Sequence, residues 1–135
     1  MRRHPYLRAY MAGVLLPTWA LLAILTVFAA GAASGHVPSR VERAIVFPMA
    51  VVPNLWGLWN LLYVACELRS RLSLGAFGSL LPLILVPAGL GLKRLFALDF
   101  YEDWQALLVL PVAMAIYYLA WKHAVAFFNR AVEIG

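Results

Sequence analysis

The chain has 135 residues, of which 64% are hydrophobic and 13% charged, with a formal net charge of +5. Soluble domains are roughly half apolar and about a quarter charged, so water is not the main solvent of this chain. Its eleven basic residues gather at the ends of apolar segments, which excludes the single basic face of a nucleic-acid binder, and one cysteine, Cys66, excludes an intramolecular disulfide.

Four uncharged stretches, Ala9 to Ser39, Ala44 to Cys66, Leu72 to Leu92 and Trp104 to Trp121, take up most of the sequence. A helix rises about 1.5 Å per residue, so about 18 or more apolar residues cross a hydrocarbon layer roughly 30 Å thick. The expected fold is all-α: one domain over residues 1–135, a polytopic membrane protein folded as an antiparallel four-transmembrane-helix bundle with proline-kinked helices. Helices are expected over about 7–33, 44–66, 74–92 and 104–128. The short connections between them make successive helices antiparallel neighbours.

The first helix follows Arg2, Arg3 and Arg8, and Ala30, Gly31 and Ala32 imitate a signal-peptide cleavage site. Its apolar part exceeds the about 7 to 15 residues of a secretion signal, so the reading is a retained first crossing. Pro17 lies inside it.

The second helix carries the most informative face. At about 100° per residue, Met49, Pro53, Trp56, Trp59, Asn60, Tyr63 and Glu67 share one arc. Tryptophan usually decorates membrane interfaces, yet Trp56 and Trp59 fall just past the middle of their segment. An indole N–H at that depth needs an acceptor, which Asn60 or a carbonyl released by a proline would supply. Two readings of the arc stay open. In one, Trp56, Trp59, Asn60 and Tyr63, with Glu67 at the helix end, line a site for a small hydrophobic, amphiphilic or ionic solute. In the other, asparagine and the aromatic rings join helices, as they do between membrane helices generally. Asn54 is placed on the opposite side of the helix, where it is read as a second polar contact that joins helices, within the chain or with another subunit.

In the third helix Pro82 and Pro87 interrupt the hydrogen-bond ladder, and kinks are expected at Pro87 and, in helix 2, at Pro53. Before the fourth helix come Asp99, Glu102 and Asp103. They lack the spacing and glycine of a calcium loop and are read as acids at the positive end of the helix dipole. Pro111 lies within this helix, and Trp104 and Trp121 are its expected interfacial anchors, with Lys122 reaching toward headgroups.

Close helix packing is expected at Gly31 and Gly35, at Gly75 and Ser79, and along the seven-residue repeat Ala106, Ala113 and Ala120. Small residues at such spacings let backbones approach, and dispersion then holds helices together where no hydrophobic drive exists.

With four crossings, Arg2, Arg3, Arg8, Arg69, Arg71, Lys122 and Arg130 share one side and Arg40, Arg43, Lys93 and Arg94 the other. Seven against four favours both termini in the cytoplasm of a cell whose inner membrane holds the chain. His4, His36 and His123 fall on two sides, so no metal site is expected, and no cofactor is expected either.

No carboxylate lies in the middle of a span, and no nucleophile, base and acid constellation is present. The expectation is therefore a non-catalytic scaffold or accessory subunit, surrounded by membrane lipids and associated as a homo-oligomer or within a larger membrane complex. The alternative is an oligomeric transporter or binding protein that uses the helix 2 arc.

Overall fold

The structure of the protein, a computed structural model, describes residues 4–35, 41–66, 71–95 and 103–134, with the backbone alone for residues 41–50, Asp103 and Ala106. Every element among the described residues is helical: α1 (Pro5–Ala33), α2 (Val41–Ala65), α3 (Leu74–Gly78), α4 (Pro82–Leu95), α5 (Asp103–Ala120), a π-helical turn (Trp121–Val125) and α6 (Ala126–Ala131). Three stretches, Pro5–Ala33, Leu74–Leu95 and Leu107–Ala131, are long and apolar enough to cross a membrane. α2 is comparable in length at 25 residues, but side chains over its first turns fall outside the described set.

α1 begins with Pro5, whose missing N–H removes only a donor that would have no helical partner, and it ends where Gly35 takes a φ of 74°. The N–H groups of Ser34 and Gly35 turn back to the carbonyls of Ala30 and Ala32, which closes the last turn.

α1 and α2 run antiparallel, with Ala9 opposite Asn60 and Gly13 opposite Gly57. A Cβ at Gly13 would lie 2.5 Å from the Trp56 carbonyl oxygen and 2.9 Å from the Gly57 Cα, so the two backbones touch. Ala9 and Ala12 complete this contact and are fully buried.

The third rod is not the uninterrupted helix expected over 74–92. It breaks between α3 and α4, at Ser79 to Leu81, and the cause is Pro82. Proline has no N–H to give the Gly78 carbonyl, so Leu81 bonds that carbonyl at 3.1 Å and Leu80 bonds that of Phe77 at 3.2 Å, tightening the chain before α4 restarts on Pro82. Pro87, where a kink was expected, stays inside α4.

The fourth rod widens at the π-helical turn. Residues four apart in an α-helix drift by about 40° around the axis, and a wider turn offsets that drift. Trp121, Val125 and Asn129 consequently stay on one buried face. With Trp56, Tyr63, Phe77 and Leu81, the first two form the core, which lies toward the end of the molecule where α1 begins and α6 ends.

Candidate functional site

The polar centre of the molecule is a reciprocal amide pair. Asn60 of α2 is fully buried and Asn129 of α6 nearly so. Asn60 Nδ2 donates to Asn129 Oδ1 at 2.7 Å, Asn129 Nδ2 donates back to Asn60 Oδ1 at 3.1 Å, and Asn60 Nδ2 also reaches the Ala9 carbonyl at 2.7 Å. One side chain therefore ties α2 to both α1 and α6. The pair stands level with Ala9 in the second turn of α1 and Asn129 in the last turn of α6, nearer the chain ends than the middle of the spans.

Around it Trp56, Trp59 and Asn60 of the expected arc are met by the chain's own groups, while a cavity of about 260 Å³ lies beside Tyr63 and Asn129. Trp59 donates its indole N–H to the Phe77 carbonyl at 2.9 Å and stacks on the Phe77 ring at 4.7 Å. That carbonyl stands at the break before Pro82, where it also accepts from the Leu80 N–H, so the indole is its second donor. Tyr63 donates its hydroxyl to the Leu72 carbonyl at 2.8 Å, bracing the connection into α3. Trp56 packs between Tyr117 at 4.9 Å and Trp121 at 5.3 Å, and its N–H finds no acceptor in hydrogen-bond geometry among the described residues, although the Tyr117 side chain lies beside it.

Trp121 is fully buried and its indole N–H also has no acceptor among the described residues. Shape holds it there: a Cβ on Gly78 would fall 2.0 Å from Trp121 Cγ, so the ring occupies the hollow that glycine leaves. Gly75, one turn earlier, faces Tyr118 and Lys122, where a Cβ would meet atoms at 3.1 Å. Lys122 lies over the Tyr118 ring at 5.6 Å from its centre.

The structure thus brings Trp56, Trp59, Asn60 and Tyr63 together, while Glu67 lies outside the described residues. Asn54 stays exposed on the other side, where Tyr10 of α1 in the same chain donates its hydroxyl to it. Of the small residues, Gly31 is half-buried, whereas Gly35 stands past the helix end with open space where a side chain would be. Ala120 packs against the core, Ala113 lines a groove between α4 and α5, and the Ala106 side chain is outside the described set.

Sequence reasoning missed four positions that matter: Gly13, Gly57, Gly78 and Asn129. A signal existed for the first, since Ala9 and Gly13 stand four apart, the same small-residue spacing noted elsewhere. Asn129 stands one residue past the expected end of the fourth helix at 128, where periodicity assigned no face. Among the described residues no group of three or more His, Cys, Asp or Glu side chains is placed to hold a metal. Comparison of the chain with known protein families, curated proteins and solved structures finds no match.

Proposed function

We propose that the chain is an integral membrane protein of four crossings, with both termini on the cytoplasmic side of a cell inner membrane, and that it acts without catalysis as a scaffold or accessory subunit. α2 serves as the fourth crossing: its 25 residues are enough to span, and it lies antiparallel along α1. Association is with further copies or with a larger membrane complex.

One observation carries this reading. The polar and aromatic groups that would have lined a solute path on α2 are engaged by Ala9, Phe77, Trp121 and Asn129 of the same chain, which favours joining helices over conducting a solute along that face. The surface left over is apolar. Leu107, Leu108, Val112, Ile116 and Leu119 of α5 and Leu22, Ile24 and Val27 of α1 are all exposed. So many exposed apolar side chains on two helices suit lipid or other membrane helices and would favour aggregation in water.

Two measurements test the proposal. Mass determination after extraction in mild detergent should find the chain with further copies or with a larger partner; a lone chain under conditions that preserve other membrane assemblies overturns the scaffold role. Reporters active only in the cytoplasm should give signal from both termini, and silence from either one overturns the orientation.

A further inference from the structure

We infer that the cavity between α2, α3 and α6 binds the phosphate of an anionic phospholipid headgroup, held by Arg130 and by the second amide hydrogen of Asn129. The inference rests on the membrane placement proposed above but not on the scaffold role.

The two ends of the bundle differ in charge. With four crossings, the end that carries both termini has seven basic side chains, and its acids are Glu67 and Glu133 alone. The opposite end balances four basic side chains against four acids, Glu42, Asp99, Glu102 and Asp103. An anion is therefore drawn to the first end and not to the second, and a membrane surface supplies anions as lipid phosphates.

The cavity lies at that first end. Its volume is about 260 Å³, below the about 300 to 1,000 Å³ of sites that enclose drug-sized ligands, so it suits a headgroup and not a whole lipid. Val64, Leu74, Ala126 and Ile134 make apolar walls, and Asn129 and Arg130 bring polar groups to it. Tyr63 also borders it, but its hydroxyl is committed to the Leu72 carbonyl. A mixed lining of this kind meets the glycerol and ester carbons of a lipid as well as its phosphate; a bare inorganic ion would leave the apolar walls unmatched.

Both donors are available. Arg130 is exposed in the last turn of α6 and makes no hydrogen bond or ion pair among the described residues. The carbonyls at this helix end are already engaged, because the N–H groups of Val132, Glu133 and Ile134 turn back to Phe128, Arg130 and Asn129 respectively. The last of these bonds, at 2.8 Å, brings Ile134 back over α6 as a wall of the cavity. Glu133, the nearest acid in sequence, pairs with Arg8 at 3.5 Å and not with Arg130.

Asn129 is only 6% exposed. Its Nδ2 carries two hydrogens and gives one to Asn60 Oδ1 at 3.1 Å, so one N–H is without an acceptor among the described residues. A nearly buried N–H of this kind stabilises an acceptor that enters from the cavity. The Arg130 guanidinium adds paired, charge-assisted hydrogen bonds to a phosphate, which fix orientation as well as affinity.

The test uses the full chain in mild detergent, exchanged with phosphatidylglycerol or phosphatidylcholine and weighed by native mass spectrometry, with helix content and melting temperature measured alongside. The wild type should retain one phosphatidylglycerol per chain and hold phosphatidylcholine, which has the same phosphate in a neutral headgroup, at least about fivefold more weakly. Arg130→Gln should lower phosphatidylglycerol retention about tenfold or more, the loss expected when a hydrogen-bonded charge is removed, with helix content and melting temperature intact. Ala126→Leu fills the cavity without touching any charge and should lower retention likewise. Lys93→Gln removes the same charge from the opposite end and should retain lipid as the wild type does.

Folded wild type without preference for phosphatidylglycerol, undiminished retention by Arg130→Gln or Ala126→Leu, or an equal loss in Lys93→Gln would each overturn the inference, the last by showing a diffuse attraction in place of a site. Displacement of the lipid by excess inorganic phosphate would assign the cavity to a free ion and overturn it as well. Protein copies and lipid adducts appear as separate masses, so failure of the scaffold role is read apart from failure of the cavity. A chain that stays monodisperse without detergent would remove the membrane placement beneath both.

Discussion

At one end of the molecule, where α1 begins and α6 ends, backbones touch and a tryptophan ring fills the hollow a glycine leaves, with a cavity of about 260 Å³ beside Tyr63 and Asn129; at the other, between α4 and α5, the helices stand apart around an apolar groove of about 750 Å³. Glycine occurs in both regions. Gly13 is met by the backbone of α2, Gly57 by Tyr10 and Val14, and Gly78 by the Trp121 ring, whereas nothing stands within 4 Å of a Cβ at Gly89 or Gly91. In lipid, apolar surface gains little by leaving hydrocarbon for another helix. A small residue therefore brings helices together only where an opposing group is shaped to enter the space or a polar group demands a partner. The first end has both, in Trp121 and in the Asn60–Asn129 pair; the second has neither.

The sharpest way to break this comparison is to make the same change at both ends. Gly13→Ala and Gly78→Ala should each destabilise the protein, toward or above the upper part of the ~1–3 kcal/mol typical of overpacking, because the new Cβ meets backbone at Gly13 and the base of a ring at Gly78. Gly89→Ala and Gly91→Ala should be neutral or stabilising by up to about 1 kcal/mol, since alanine favours the helix and the space is open. Unfolding in a denaturing-detergent titration, followed by tryptophan fluorescence, reads all four. Equal losses at both ends would mean that the groove is closed by something the chain's own side chains do not supply.

The sequence carried more of the first region than of the second. Apolar length alone marks the spans, and the periodicity of α2 places Trp56, Asn60 and Tyr63 on one face, because both signals are local and a helix repeats them in register. Asn60 announced that a partner was required; which partner depended on how α6 docks against α1 and α2, a nonlocal fact that residue spacing does not contain. Trp59 followed the same pattern: a carbonyl near a proline was an expected acceptor, but that it would be Phe77, at the break before Pro82 in the next rod, depended on how α3 docks against α2. The spacing of Ala106, Ala113 and Ala120 suggested a packing seam, yet Ala113 lines the groove together with Gly89, a result of how α4 and α5 stand against each other that residue spacing does not contain.

The amide pair is the next point to press. Asn60→Leu leaves Asn129 buried with its main partner gone, and should cost about 1–2 kcal/mol, given that an unsatisfied buried polar group costs roughly 1–3 and hydrogen bonds between membrane helices stabilise by about 0.6 to 2. Replacing both asparagines by leucine should recover most of that loss, because no orphaned group remains. A double replacement as costly as the sum of the single ones would show that each asparagine acts through a contact other than its partner. Trp59→Phe is the milder version: stacking on Phe77 can persist, the indole bond to the Phe77 carbonyl cannot, and a loss of about 1 kcal/mol is expected in the same titration.

The smallest effect belongs to the outer rim of the packed end. Arg8 reaches the Val132 carbonyl at 3.3 Å and the Glu133 carboxylate at 3.5 Å, tying the start of α1 to the turn after α6. Both side chains remain partly in solvent, at 35% and 69% exposure, and exposed ion pairs contribute about 0 to 1 kcal/mol. Glu133→Gln should therefore shift unfolding by less than Trp59→Phe, and the shift should shrink as salt is raised past ~0.15 M, where screening acts within about 8 Å. Arg8→Ala should cost slightly more and keep part of its effect in salt, because it also loses the bond to a backbone carbonyl. If Glu133→Gln instead rivals Asn60→Leu, the packed end is held at its rim by charge, and the buried amide pair is not its main fastening.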